Sequence, residues 1–185
     1  MKEVDEAQRD MRDGYFSGAA GILASSLAWA AAAAATIFVS AETAVWVLFA
    51  GGMLIHPASI VICKVLGARG NHAKENPLAP LAIATTFWLI FSLPIVYVVS
   101  LQRMEWFFPA MLLVIGGRYL TFALLYGMRI FWALGLALAG AGFALGYIAA
   151  QPAIAVVAGA GIELVFAVVV LMLHAAWKKT AVAVT

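Results

Sequence analysis

Charge is scarce in this sequence. Of its 185 residues, 11% are Asp, Glu, Lys or Arg, where a soluble domain carries about 25%. Cysteine is nearly absent. Cys63 is the single one, so no disulfide can close within the chain. Phosphate-binding and nucleophile motifs are missing: there is no GxxxxGKS/T, no GxGxxG after a strand and no GxSxG. Neither a HxxxH nor a CxxC pattern occurs, and His56 and Cys63 stand two helical turns apart, about 10 Å, too far to hold one metal ion. Ser25 and Ser26 have no basic neighbour in sequence to activate them. A net charge of +2 is too small to imply a nucleic-acid partner. No cofactor, metal or catalytic residue is expected from these patterns.

What fills the chain instead is apolar. Hydrophobic residues make up 65% and the mean hydropathy is +1.02. A helix needs roughly 20 apolar residues to span a bilayer. Six such runs are present, at about 16–39, 44–64, 79–100, 106–127, 131–149 and 153–176. They are unbroken rather than alternating, which fits helices that satisfy their own backbone groups and not a transmembrane barrel. The first run is too long for the core of a signal peptide, so it reads as a retained span despite the small residues Val39-Ser40-Ala41. The expected fold is an all-α polytopic bundle of six transmembrane helices with short loops. Residues 1–14 form a polar cytoplasmic segment, either a short amphipathic helix or a solvated extension. Residues 15–177 form the membrane domain and 178–185 a cytoplasmic tail. Asn76-Pro77 reads as a capped start for the third span, and Pro94 as an interruption of it.

Orientation follows from the basic residues. With the N-terminus in the cytoplasm, Lys2, Arg9, Arg12, Lys64, Arg69, Lys74, Arg129, Lys178 and Lys179 lie inside and only Arg103 lies outside. Six crossings then put both termini in the cytoplasm. Aromatic belts agree, with Trp46, Tyr97, Trp106 and Tyr147 near one interface and Tyr15, Tyr126, Trp132 and Trp177 near the other. Trp29 and Trp88 fall near the bilayer centre, between helices or facing lipid.

Three ionisable residues fall near the middle of their spans: His56, Arg118 and Glu163. Such residues are expensive in lipid and mark candidate sites. Their similar depth predicts a buried Arg118–Glu163 ion pair with His56 close by. Helical spacing extends this cluster. Gly52, His56, Ser59 and Cys63 share a face, Thr85 and Ser92 share another, Thr121 lies one turn from Arg118, and Gly159 and His174 align with Glu163. These stripes, turned inward, would give a polar interior. Such a pair can also lock helix register with no ligand at all. Gly142 and Gly146 form a GxxxG step suited to close helix packing, and to self-association in the bilayer.

Three patches carry a resemblance: Lys74-Glu75-Asn76-Pro77-Leu78, Gly116-Gly117-Arg118-Tyr119-Leu120 through Leu125-Tyr126, and Gly161-Ile162-Glu163. From about residue 57 onward the chain resembles small bacterial integral membrane proteins grouped as a domain of unknown function. In that family a His commonly stands where this chain has Arg118. The resemblance implies a multi-pass protein of the bacterial cytoplasmic membrane and brings no activity, substrate or cofactor. The expected function is structural or partner-binding, in contact with the lipid bilayer. The alternatives are a small transporter or channel-like protein using His56, Arg118 and Glu163, and an intramembrane enzyme.

Overall fold

The computed structural model describes residues 2–182 and contains only helices and turns among them. The helices are α1 (Lys2–Tyr15), α2 (Ala19–Phe38), α3 (Ala41–Val65), α4 (Ala79–Gln102), α5 (Phe107–Tyr126), α6 (Ile130–Tyr147) and α7 (Pro152–Val182). Six of them, α2 to α7, are long and apolar enough to cross a membrane. The polar segment ahead of them is a true amphipathic helix. Ala7 and Met11 are buried on one side of α1 while Glu3, Asp5 and Glu6 stay exposed.

Local chemistry sets the helix limits. The Ser40 hydroxyl accepts the Thr43 N–H at 3.1 Å and starts α3 after a two-residue link. Gly127 ends α5 in the left-handed region at φ 60°, which only glycine adopts without cost. Asn76 differs from the capping role expected of it. Its Oδ1 accepts the Leu78 N–H at 2.9 Å in a turn, and α4 begins later, at Ala79. Pro57 and Pro94 both lie within continuous helices, so Pro94 does not interrupt its span. The last helix runs into the expected tail, as far as Val182.

Helix α2 packs on α3 and α7, α5 packs on α6, and α7 touches both α5 and α6. Helix α4 leans mainly on α5, with only Thr85, Val96 and Ser100 buried. In lipid the tails are as apolar as leucine, so helices associate by close van der Waals fit and small residues set the distance. That is visible between α5 and α6. A Cβ on Gly135 would lie 2.7 Å from the Gly116 carbonyl oxygen, and one on Gly142 would lie 2.6 Å from that of Pro109. Gly146 also faces Pro109. The Gly142–Gly146 step therefore packs against α5 of the same chain.

Polar contacts collect at one end of the bundle. Arg12 of α1 donates to the carbonyls of Tyr126 (2.5 Å) and Gly127 (2.8 Å), capping the end of α5. Gln8 donates to the Leu124 carbonyl at 2.7 Å. Asp13 pairs with Lys178 near the end of α7. Asp10 holds the loop between α3 and α4 by accepting from Arg69 (2.5 Å), the Ala73 N–H (2.8 Å) and Asn76 Nδ2 (2.8 Å). Helix α1 thus lies as a strap across the ends of three other elements. Burial pushes the Asp10 carboxyl up, but its three donors outweigh that and hold it below its ordinary value.

Two outcomes test this packing. Gly135→Val should lower thermal stability in detergent by about 1–3 kcal/mol or more through overpacking, whereas Gly140→Ala, which meets nothing within 4 Å, should leave it unchanged. For the strap, a folded-state carboxyl held below its unfolded value stabilises fully above that unfolded value, about 3.9, and loses the contribution as pH falls through the lower one. Asp10→Asn should therefore expose loop 66–78 to protease at neutral pH. The wild type should match it only in acid below about pH 4.

Candidate functional site

The deepest polar group is Glu163, whose side chain on α7 is 0% exposed. Its Oε1 accepts the Tyr119 hydroxyl of α5 at 3.1 Å, while Oε2 has no hydrogen-bond partner. The Ser25 hydroxyl of α2 lies beside the same carboxyl. One turn after Ser25 stands Trp29, also 0% exposed, with its indole N–H unpartnered. The Trp29 ring needs the space left by Gly159, one turn before Glu163. A Cβ there would lie 2.8 Å from the ring. The two helices therefore face each other through matching one-turn steps, Ser25–Trp29 on α2 and Gly159–Glu163 on α7. Phe108 closes the group, with its ring 6.3 Å from that of Trp29.

Arg118 lies one residue before Tyr119, and consecutive helical residues point about 100° apart. Tyr119 takes the inward direction. Arg118 turns to α4, where its Nη2 donates to the Thr86 hydroxyl at 3.2 Å and its guanidinium sits 5.3 Å from the centre of the Phe122 ring. Its Nε is buried without a partner. The expected Arg118–Glu163 pair does not form. Among the described residues the ion pairs are Asp10–Arg69, Arg103–Glu105 and Asp13–Lys178, all at the ends of the bundle. An Arg at the centre of a span costs about 2.5–3.5 kcal/mol on insertion scales, and one hydroxyl offsets little of that. Beside it a groove of about 380 Å³ runs between α4 and α5, lined by Ala84, Thr85, Trp88, Gly117, Arg118 and Thr121.

His56 lies on the exposed side of α3, and so does Gly52. The expected inward stripe therefore splits, because only Ser59 and Cys63 of it are buried. Helix α3 packs through Ala44, Leu48, Gly51 and Ser59, with Gly51 against Ala28 of α2. His56 and Gly52 sit next to that row and are rotated out of it.

The secondary positions are mostly satisfied within their own helices. Ser59 donates to the His56 carbonyl (2.7 Å), Thr85 to Ala82 (2.9 Å), Ser92 to Trp88 (2.9 Å) and Thr121 to Arg118 (2.7 Å). This back-bonding lets a hydroxyl sit at membrane depth with no outside partner. His174 behaves differently. Its Nδ1 lies 2.8 Å from the buried Ser17 hydroxyl, and the Phe16 ring packs 5.0 Å from the imidazole. Phe16, Ser17 and Gly18 carry φ of 51°, 55° and 86°, three left-handed residues in a row between α1 and α2. Two of them have a Cβ, so this turn is strained and held by its surroundings. Among the described residues no group of three His, Cys, Asp or Glu side chains could hold a metal ion.

Sequence reasoning passed over Tyr119, Trp29 and Ser17 as partners. The four-residue spacing of Ser25 and Trp29 was the available signal. For the turn at Ser17 no local pattern exists, since its partner is 157 residues away.

The interior arrangement has a direct test. Tyr119→Phe should destabilise the protein by about 1 kcal/mol, and the cost should shrink in a Glu163→Leu background because the two residues are coupled. Arg118→Glu combined with Glu163→Arg should be no more stable than the two single changes predict. Thermal unfolding of the purified variants measures both, and recovery in the exchanged pair would show that the side chains meet.

Neither a curated protein nor a solved structure matches the chain. Residues 4–174 match a family model, which takes in most of α1 and α7 and all that lies between them. The chain belongs to that family, the family of unknown function DUF7010.

Proposed function

We propose that this multi-pass membrane protein is a structural or partner-binding component of a bacterial cytoplasmic membrane, with both termini inside. One observation carries the reading: the three ionisable residues at mid-span face three separate environments. Glu163 is enclosed among α2, α5 and α7, Arg118 faces the groove between α4 and α5, and His56 lies on the outer side of α3. A conduit needs such groups along one wet path, and these are not arranged along one. The interior side chains of Trp29, Phe107, Phe108 and Leu112 are fully buried, as in a core whose polar residues fix packing. The nine-to-one division of basic residues supports the orientation. Contact between α1 and the end of α7 is in keeping with an even number of crossings.

The test is flux. Purified protein in proteoliposomes should pass protons and alkali cations no faster than protein-free vesicles, across a range of pH. Transport that disappears in Glu163→Gln would replace this reading with a conduit. The orientation is checked by labelling cysteines introduced at positions 3 and 180 in Cys63→Ser cells, and both should be protected from an impermeant reagent.

A further inference from the structure

We propose that the groove between α4 and α5 receives a transmembrane helix of a different polypeptide, which presents an Asp or Glu carboxylate to Arg118. This rests on the partner-binding reading and names the chemistry of the partner.

Arg118 supplies the charge. A guanidinium has five N–H donors, and here one meets the Thr86 hydroxyl while Nε meets nothing. The neighbouring hydroxyls of Thr85 and Thr121 are bonded to their own helices. Among the described residues no carboxylate pairs with this guanidinium, and one brought from outside the chain would fit it in charge and geometry. The groove has the shape for a helix. Gly117 presents no side chain, and a Cβ there would meet nothing within 4 Å, so another backbone can approach closely. Trp88, which lines it, is 62% exposed.

A second copy of this chain does not supply the carboxylate. Within the spans the one acid away from a helix end is Glu163, which is fully buried and bonded to Tyr119. The remaining acids lie on α1, in the loop before α4, at the start of α3 and in the turn before α5. A lipid headgroup is poorly placed too. Arg118 stands eight residues from the end of α5, roughly 12 Å of helix into a hydrocarbon core about 30 Å thick. An acidic residue midway along another transmembrane helix meets the guanidinium at that depth.

The experiment uses the full chain in phosphatidylcholine vesicles. The probe is a dansyl-labelled polyleucine transmembrane helix with one central Glu, and the control is the same helix with Gln. Energy transfer from the protein's tryptophans reads binding. The wild type should bind the Glu helix about tenfold more tightly than the Gln helix. Arg118→Gln should remove that difference, and Arg118→Lys should keep part of it. Gly117→Leu, which fills open space rather than the core, should weaken both helices alike. Circular dichroism and gel filtration of each variant establish that it is folded. Equal affinity for the two helices in the wild type would overturn the proposal, and so would a preference that survives in Arg118→Gln. Loss of the preference when phosphatidylglycerol is added would assign the groove to anionic lipid instead. Energy transfer between differently labelled copies that depends on Arg118 would assign it to self-association. Failure here with no flux in the proteoliposomes leaves the partner-binding reading standing, whereas flux removes that reading itself.

Discussion

The contact of the Trp29 ring with Gly159 sets the distance between α2 and α7, and the interior is arranged around it. Lipid offers no hydrophobic drive to pull helices together, so the bundle depends on surfaces that fit at close range. An indole on one helix seated over a missing side chain on the next is such a fit. It brings Ser25 beside Glu163 and leaves room for Tyr119 to reach the carboxyl from α5. The same device recurs at Gly116, Gly135 and Gly142 between α5 and α6, and at Gly51 against Ala28 between α2 and α3. Helix α4 lacks a comparable small-residue seam on a second neighbour, and it is the span with the least buried surface.

Polar chemistry divides by depth. At one end, α1 gathers charged and amide groups from the loop, from α5 and from α7, where water and headgroups can share the work of solvating them. At mid-depth no water is at hand, and hydroxyls turn back onto their own helices. Glu163 is met by a neutral donor from a neighbouring helix, and Arg118 by one hydroxyl and an aromatic face. The contrast between those two residues separates the core from the face that looks outward. One is fully enclosed. The other lies where a further helix can come against the bundle.

Much of the architecture was legible beforehand because a bilayer imposes simple rules. An apolar run of sufficient length must be helical, and its ends are marked by polar residues and glycine. The spans at 44–64 and 79–100 fall within α3 and α4 to a few residues, and of the two readings of residues 1–14 the amphipathic helix is the one that became α1. The family likeness, placed from about residue 57 onward, extends over nearly the whole chain. Depth was legible too, since counting along a helix measures it, and Arg118 and Glu163 do lie near mid-span. Direction was not. Arg118 and Tyr119 differ by one residue and about 100° of rotation, and the choice between them depends on which neighbouring helix arrives.

Length and hydropathy are properties of single segments, so the amino-acid order alone determined six spans and their approximate limits. Which face of each helix turns inward is a property of pairs. His56 went outward because Ala44, Leu48, Gly51 and Ser59 offered α2 the smoother row, and Glu163 found Tyr119 rather than Arg118 because α5 is rotated by its glycines against α6. Only the assembled bundle could decide these matters. In lipid, side chains of equal hydrophobicity compete for the interior by shape, and shape complementarity exists only once two helices are side by side.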